Sequence, residues 1–400
     1  MTNILDRDIY LARVKPFIDK DLIKVFTGQR RVGKSYLMLQ VKRLIEGSQP
    51  PCHIIYINKE DYQFDWLRTA DDLYHYIQEN KSDSVKNYLF IDEIQEIFGF
   101  EKILRDLNNR DNFDIYCTGS NSNMLSGELA THLAGRYIEI NVHSLCYTEF
   151  MQFHQLEQSN ATLLKFLKYG GMPYLIHLEL DDEIIFSYLK NVFSTIVLRD
   201  VVSRHNIRNV NFLERLIKFL ANNTGQILSA KKISDYLKSQ QVKLSTNSVL
   251  NYLSFLSESY FIRTANRFDV VGKRLFEIQE KYYFEDLGLR HTLIGFKQVD
   301  MGKILENAVF NHLECTGYTV MVGKLGEREI DFVAVRDSYT IYIQVCYLLP
   351  DEKVIKREFG NLLAIKDNYR KIVISMDEFA TGDIDGVEHQ HINKFLTEFN

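Results

Sequence analysis

The segment Gly28 to Ser35, which reads GQRRVGKS, constrains this chain more than any other feature. It fits the pattern G-x-x-x-x-G-K-[ST], an apolar run at 22–26 precedes it, and a helical pattern from Ser35 to about Glu46 follows it. In such a strand–loop–helix unit the loop amides surround phosphate oxygens, and the helix begins with its positive dipole end. The segment therefore predicts a nucleotide-phosphate site; the alternative is a Gly-bounded turn with a chance Lys-Ser pair.

The residues of this loop have separate expected roles. Lys34 is expected to reach the β- and γ-phosphates, and the hydroxyl of Ser35 is expected to bind Mg²⁺. The residues expected to contact the nucleotide are Gly28, Gln29, Arg30, Arg31, Val32, Gly33, Lys34 and Ser35.

Two carboxylates end a second apolar run, YLFIDE at 88–93. At the carboxyl edge of a parallel sheet, Asp92 is placed to hold Mg²⁺, and Glu93 is placed to orient or deprotonate the attacking water. The adjacent Glu favours a hydrolase over a small-molecule kinase. The alternative is a strand with a solvated acidic end.

Strands and helices alternate over residues 20–142, with a helix expected from Glu101 to Asn108. This alternation predicts an α/β fold with a parallel sheet and crossover helices, as in P-loop NTPases. The strand candidates are 22–26, 53–57, 87–91, 113–118 and 136–141.

Polar residues follow the fourth strand candidate in the stretch CTGSNS at 117–122. A side chain at this place is expected to contact the γ-phosphate or the attacking water. Ser120 is the first candidate, with Thr118 and Asn121 behind it. Helix capping is the alternative role, and the two roles are compatible.

Arg136 opens the fifth strand candidate, after Leu133-Ala134-Gly135. An arginine that enters the site stabilises the charge that develops on the γ-phosphate, so Arg136 is a catalytic candidate. A surface ion pair is the alternative.

Composition narrows the class of protein. The net charge of −5 and the pI of about 6.2 give no overall attraction to nucleic acid, so a DNA site requires a local basic patch. The five cysteines are scattered without Cys-x-x-Cys spacing, which favours reduced thiols over a disulfide framework or a zinc site. The longest apolar stretch, Ile341–Leu349, is too short to span a membrane, so we expect a soluble, cytoplasmic protein.

Residues 206–290 have the pattern of a small helical DNA-binding module. Ser229 is expected to cap a helix that runs to about Lys238, and Ser245 a helix that runs to Glu258. Three residues are expected on the apolar face of the second helix: Val249, Leu253 and Leu256.

The same segment carries 13 Lys and Arg against 8 Asp and Glu, a net charge of +5 within an acidic chain. A following hairpin is expected to form a basic wing with Arg263, Arg267, Lys273 and Arg274. This composition predicts a winged helix that contacts double-stranded DNA. The alternative is a winged helix used for internal packing or for nucleotide-state switching.

The last segment, 303–400, has an α/β pattern of its own. Asp331 precedes Gln344 by thirteen residues on what look like paired strands. Nucleases of the restriction-endonuclease type place an Asp, then a Glu or Gln, then a Lys two residues further on. Cys346 takes the lysine position, so we expect a nuclease-like domain without cleavage activity. The alternative is that Asp331 is a turn or core-edge residue.

These motifs together resemble a large family of bacterial and archaeal AAA-type (STAND-like) ATPases. The resemblance rests on GQRRVGKS, FIDEIQ, TGSNS, LAGRYIEINVHSLCYTEF, KYGGMPYL, KYYFEDLGLRH and EIDFVAV…YIQVCY. It implies an ATPase domain at 1–142, a helical connector at 143–205, a winged helix at 206–300 and a restriction-endonuclease-like domain at 301–400. It also implies ATP as the nucleotide and a functional role for the Gly135-Arg136 pair.

Three functions remain open from sequence. The first is an ATPase whose Mg²⁺-dependent hydrolysis acts as a conformational switch. The second is a DNA-binding regulatory or defence protein in which nucleotide is mainly a sensor ligand. The third is an ATP-dependent nuclease, which Cys346 disfavours. The partner is either DNA or a protein, and the oligomeric state is open.

Overall fold

The computed structural model of the chain describes residues 5–48, 51–110, 112–122, 135–239, 245–275, 279–378 and 382–399. The chain forms two compact units. The N-terminal unit is Met1–His143 with Glu258–Tyr260, and the C-terminal unit is Ser144–Ser257 with Phe261–Asn400. Within the described ranges, no helix combines the length and the apolar character needed to cross a membrane.

A parallel sheet of five strands forms the centre of the N-terminal unit, within the residues described. The strands are β1 (Ile23–Thr27), β2 (His53–Asn58), β3 (Asn87–Asp92), β4 (Phe113–Gly119) and β5 (Tyr137–Asn141). Their order is β2-β3-β4-β1-β5, and each neighbouring pair is parallel. This α/β fold is typical of P-loop NTPases, so the fold class and the five predicted strands are confirmed. The five carboxyl ends lie at one edge of the sheet.

Four helices of the N-terminal unit are described: α1 (Asp8–Val14), α2 (Lys34–Ser48), α3 (Ala70–Asn80) and α4 (Phe100–Asn108). The helices predicted after Ser35 and from Glu101 are thus confirmed. Thr69 begins α3 with a reciprocal capping box, in which its hydroxyl accepts from the Asp72 amide and its own amide donates to the Asp72 carboxylate at 2.9 Å.

The first part of the C-terminal unit is mainly helical. Its helices are α5 (Tyr147–His154), α6 (Asn160–Tyr169), α7 (Asp182–Thr195), α8 (Val210–Asn222), α9 (Ala230–Ser239), α10 (Thr246–Glu258) and α11 (Leu287–Ile294). A π-helical run, Ile196–Ser203, continues α7. The strands β6 (Ile227–Leu228), β7 (Ile262–Ala265) and β10 (Glu280–Phe284) form a small antiparallel sheet in the order β6-β10-β7.

The predicted capping serines of α9 and α10 are confirmed. Ser229 Oγ accepts from the Lys232 amide at 3.2 Å, and Ser245 Oγ accepts from the Ser248 amide at 3.1 Å. The apolar face predicted for α10 is buried at all three positions: Val249, Leu253 and Leu256.

Two of the sequence motifs, KYGGMPYL and KYYFEDLGLRH, contact each other in the C-terminal unit. Asp286 caps α11 by accepting from the Leu289 amide at 3.0 Å, and its second oxygen accepts from the Gly171 amide at 2.7 Å. A side chain at Gly288 would place its Cβ 2.0 Å from the carbonyl oxygen of Tyr169. The two motifs therefore form a close packing junction that requires glycine.

The last part of the chain builds a seven-stranded mixed sheet, within the residues described. The strands are β8 (Arg267–Asp269), β9 (Arg274–Leu275), β11 (Thr319–Leu325), β12 (Arg328–Arg336), β13 (Tyr339–Val345), β14 (Arg370–Ser375) and β15 (Glu388–His391), in the order β15-β14-β13-β12-β11-β8-β9. The helices are α12 (Met301–Cys315), α13 (Glu352–Leu363) and α14 (Ile392–Glu398). The predicted pairing of the Asp331 and Gln344 strands is confirmed, because β12 and β13 are antiparallel neighbours.

The hairpin expected to form a basic wing belongs instead to the seven-stranded sheet. Strand β8 pairs in parallel with β11, so the β8–β9 hairpin extends the seven-stranded sheet. Arg263 forms a 2.6 Å ion pair with the buried Glu285, and Arg267 donates to Gln279 at 2.5 Å. The expectation that Arg263 lies on a free basic wing is therefore wrong, because its guanidinium neutralises a buried carboxylate.

Candidate nucleotide site

The loop between β1 and α2 approaches another backbone so closely that its first residue must be glycine. Gly28 has φ 139°, and a Cβ at this position would lie 2.1 Å from the carbonyl oxygen of Val142. Gly33, with φ 95°, turns the chain into α2, which begins at Lys34. The amides at this helix start point toward the loop opening and favour an anion there.

Lys34 is buried beneath this loop. Its Nζ donates to the carbonyl oxygens of Gly28 at 3.0 Å and Gln29 at 2.9 Å. Both carbonyls are neutral, so these two bonds hold the ammonium group in place without cancelling its charge, which also acts on Asp92. An anion that reaches the loop can therefore compete for it.

Asp92, the last residue of β3, meets the first turn of α2. Its carboxylate is 2% exposed, accepts from Thr118 Oγ1 at 2.5 Å, and is hydrogen-bonded to the side chain of Ser35. Burial raises the pKa of Asp92, while the bonds from Thr118 and Ser35 and the charge of Lys34 oppose that rise. Hydroxyl and carboxylate oxygens are the ligands that Mg²⁺ prefers, so Ser35 and Asp92 fit a magnesium site.

Glu93 has a strained backbone next to Asp92. Its φ is 55°, in the left-handed region that non-glycine residues seldom adopt, and its amide donates to Thr118 Oγ1 at 2.9 Å. Ser120 Oγ lies 3.4 Å from Glu93 Oε2, and the side-chain amide nitrogen of Gln95 donates to the same oxygen. The strain and these contacts hold the carboxylate at the carboxyl edge.

Three polar residues at the end of β4 and directly after it lie beside Asp92 and Glu93: Thr118, Ser120 and Asn121. Thr118 is fully buried, and its hydroxyl joins Asp92 to the backbone of Glu93. Ser120 and Asn121 are also buried at this edge. Ser120 stays the first candidate for contact with the γ-phosphate or the water, whereas Thr118 orients the Asp92 carboxylate and the backbone of Glu93.

Arg136 lies at the opposite edge of the sheet. Its carbonyl oxygen accepts from the Ile23 amide at the start of β1, and its exposed guanidinium donates to Asn109. The length of β5, about 16 Å at roughly 3.3 Å per residue, separates it from the carboxyl edge. The expectation that Arg136 enters the site of its own chain is therefore corrected: an arginine that precedes a parallel strand lies at the strand's amino end.

The remaining loop residues differ in their surroundings. Gln29 is fully buried, and its side-chain amide has no hydrogen-bond partner among the described residues. Arg30 forms an ion pair with Glu60 at 3.4 Å, and Arg31 is exposed with φ 69°. Val32 is buried.

Sequence reasoning missed Arg7, which anchors the loop from the N-terminal segment. Its guanidinium donates to the carbonyl oxygens of Val32 and His143, each at 2.9 Å, and it stacks over the ring of Tyr10 at 4.5 Å. Its amide donates to Gln40 of α2 at 3.1 Å. No motif surrounds Arg7, so no local sequence signal identifies it.

Comparison with known proteins agrees with this geometry. Residues 20–151 match a family model described as an AAA domain, and residues 160–300 match a domain of unknown function, DUF8612. The solved structure of the Walker-type ATPase PABY2304 of Pyrococcus abyssi is similar with a TM-score of 0.50 and 14% identity, over 73% of this chain and 96% of that chain. Residues 20–151 are therefore similar to AAA domains in sequence, and the fold is that of a Walker-type P-loop domain.

Similarity to curated relatives extends over nearly the whole chain. An uncharacterized protein of Haemophilus influenzae is 37% identical over 401 residues, covering 99% of both chains. The uncharacterized protein MJ1544 of Methanocaldococcus jannaschii is 31% identical over 407 residues, covering 96% of this chain and 88% of the relative. The chain belongs to the family that these proteins represent.

Proposed function

We propose that this protein binds ATP and hydrolyses it in a Mg²⁺-dependent reaction that acts as a conformational switch. The observation that carries the proposal is the hydrogen-bonded set at the carboxyl edge of the sheet. Asp92 bonds to Ser35 and Thr118, Thr118 bonds to Glu93, and Lys34 lies in the adjoining loop. The carbonyls of Gly28 and Gln29 hold Lys34 at the loop, and its charge acts on Asp92, which supports a role for Lys34 at a bound phosphate.

Each of these residues has a defined part in the proposed reaction. Ser35 and Asp92 would hold Mg²⁺, which supplies charge neutralisation at the phosphates when bound. Glu93 orients the attacking water and accepts its proton, and Ser120 holds the γ-phosphate or that water. Lys34 leaves the carbonyls of Gly28 and Gln29 for the β- and γ-phosphates.

The switch follows from the loss of one phosphate. When the γ-phosphate leaves, Lys34 and Ser120 lose a partner, and any loop conformation that those contacts hold is released. The likeness of the fold to a Walker-type ATPase supports this proposal.

The experiment is a steady-state ATP hydrolysis assay on Glu93→Gln with Glu96→Gln as its matched control. Glu96 lies three residues on and is exposed, so the control makes the same chemical change outside the site. We expect Glu93→Gln to lower kcat about 100- to 10,000-fold, because a general base contributes that much, and Glu96→Gln to retain it. Equal rates in the two variants would reject Glu93 as the base.

Association with double-stranded DNA through residues 206–290 is a second candidate, in which nucleotide is mainly a sensor ligand of a regulatory or defence protein. Helices α8 to α10 with the β6-β10-β7 sheet support a winged-helix-like module, and α9 exposes Lys231, Lys232 and Lys238. Part of the segment's positive charge lies in the interior, since Lys281 and Arg290 are almost fully buried. The exposed lysines of α9 are therefore among the candidate phosphate contacts.

The test for this candidate is fluorescence anisotropy with double-stranded DNA over a range of salt concentrations. The double variant Lys231→Glu/Lys232→Glu is compared with Lys353→Glu/Lys356→Glu, which changes two exposed lysines at α13. We expect only the first to weaken binding and to reduce the salt slope by about two. Equal effects of both variants, or wild-type protein that does not bind DNA, would point to a protein partner.

A further inference from the structure

A buried lysine lies among three carboxylates of the C-terminal unit. Lys281, at the second position of β10, is 1% exposed. Its Nζ lies 2.8 Å from Glu306 of α12, 2.8 Å from Glu329 of β12 and 3.3 Å from Asp331 of β12. We call Glu306, Glu329 and Asp331 the carboxylate cluster.

Further donors hold the carboxylate cluster in place. Glu306 accepts from the hydroxyl of Tyr283 at 2.7 Å, and Asp331 accepts from the Val345 amide at 2.9 Å. Burial raises the pKa of Asp331, and the charge of Lys281 opposes that rise. Burial alone would lower the pKa of Lys281, but the three carboxylates together raise it, so its ammonium group stays charged.

The nuclease pattern places a positive charge two residues after Gln344. Here the positive charge at the carboxylate cluster comes from a different strand, β10. Cys346 takes the lysine position of that pattern, and burial raises the pKa of its thiol to about 12, so it is uncharged at neutral pH. Gln344 beside it is also uncharged. Lys281, which precedes Asp331 by fifty residues in the chain, supplies an ammonium group to the cluster.

We propose that the carboxylate cluster is a cation site whose occupant is the protein's own ammonium group, that of Lys281, in the place of a divalent metal ion. The Lys281 ammonium group donates to Glu306 and Asp331 and forms an ion pair with Glu329. One oxygen of each carboxylate therefore already faces a positive charge where a metal ion would bind. With Lys281 in place, no group of three or more His, Cys, Asp and Glu side chains in the described residues, the carboxylate cluster included, is arranged to hold a metal ion.

The site has a structural consequence within the C-terminal unit. Lys281 belongs to the small sheet inside the region matched by DUF8612, whereas Glu306, Glu329 and Asp331 lie beyond residue 300. The ion cluster therefore fastens β10 to α12 and β12. The nuclease-like segment and the preceding module are joined at the point where a nuclease would need an open site.

The test is Mn²⁺ binding, measured by electron paramagnetic resonance without nucleotide. All variants carry Asp92→Asn, which removes the expected metal ligand of the nucleotide site. We expect the parent protein to show no Mn²⁺ bound at the cluster, Lys281→Ala to gain one site per chain, and Lys281→Ala/Asp331→Asn to lose it again. Lys356→Ala removes an exposed lysine and should gain nothing.

Two results would overturn the proposal. One is a parent protein that binds Mn²⁺ in a way that Asp331→Asn abolishes, or that cleaves DNA through Asp331. The other is a folded Lys281→Ala chain that gains no Mn²⁺ site. If Lys281→Ala unfolds, refolding in the presence of Mn²⁺ supports the proposal, because a divalent ion then replaces the ammonium group. Failure to refold with Mn²⁺ contradicts it.

Discussion

Lys34 and Lys281 are both almost fully buried, yet their partners differ in charge. Lys34 donates to two neutral carbonyl oxygens, whereas Lys281 contacts three carboxylates. The carbonyls orient the ammonium group of Lys34 without cancelling its charge, which also opposes the rise that burial causes in the pKa of Asp92 at the same edge of the sheet. The charge of Lys281 is neutralised by carboxylates inside the protein.

The comparison separates a ligand-binding lysine from a structural one by its partners. Burial and the presence of nearby acidic residues do not distinguish them, since Asp92 and Glu93 also lie near Lys34. We expect substitutions of Lys34 to affect nucleotide binding and substitutions of Lys281 to affect stability.

The largest effect on stability is expected for Lys281→Ala. The substitution leaves buried carboxylates without a counter-charge, which typically costs about 3–5 kcal/mol. Chemical denaturation should show an earlier unfolding transition of the C-terminal unit, while ATP affinity is retained. A variant as stable as wild type would show that the ammonium group does not stabilise the cluster.

Lys34→Ala should have the opposite profile. Loss of one cation at the transferred phosphate lowers turnover about 100- to 1,000-fold, comparable to the loss of one oxyanion donor, and ATP binding weakens with it. Denaturation should show a smaller loss of stability than in Lys281→Ala, because the hydrogen bonds of Lys34 to Gly28 and Gln29 are to neutral carbonyls. Calorimetry with ATP, paired with denaturation of the same samples, measures both. Unaltered ATP binding would remove Lys34 from the site.

The two units should also differ in acid stability. Burial lowers the pKa of His312 from its ordinary 6.5 to about 4, so the folded C-terminal unit keeps this ring neutral while the unfolded chain protonates it. The unfolded state binds more protons, so stability is full above pH 6.5 and falls by roughly 1–3 kcal/mol as the pH drops toward 4. Denaturation at both ends of this range should show a smaller loss for His312→Gln. The exposed His75→Gln should leave the loss as it is in wild type.

The smallest expected effect is that of Arg7→Ala. Without the guanidinium, the carbonyls of Val32 and His143 lose a shared donor and the loop is less well ordered. We expect ATP affinity to fall about tenfold, since displacement of a positioned group by a remote change can reach about 100-fold. Arg7→Lys should recover part of the loss, and Lys15→Ala at the end of the same segment should cause none. An equal loss in Lys15→Ala would mean that the segment acts by general packing.

Local sequence pattern was sufficient to predict much of the fold of the N-terminal unit. The strands, the loop and the pairing of Ser35 with Asp92 follow from short apolar runs and from the rule that parallel strands end at one edge. The serine caps of α9 and α10 follow in the same way from nearby residues.

The features that escaped prediction depend on partners far apart in the chain. Lys281 meets Asp331 across 50 positions, and Arg7 meets His143 across 136. The sequence of the β8–β9 hairpin predicted a wing, because nothing in its own residues indicates that β8 pairs with β11. Arg136, by contrast, was misplaced although the sequence was sufficient: it comes directly before β5 and therefore lies at the amino end of that strand.

The most direct measurement of the central claim is the nucleotide that the protein retains. Wild type, Glu93→Gln and Glu96→Gln are each incubated with ATP and Mg²⁺ and freed of unbound nucleotide, and their bound ATP and ADP are quantified over time. We expect wild type and Glu96→Gln to convert bound ATP to ADP, and Glu93→Gln to keep it as ATP. Conversion in Glu93→Gln at the wild-type rate would contradict the account.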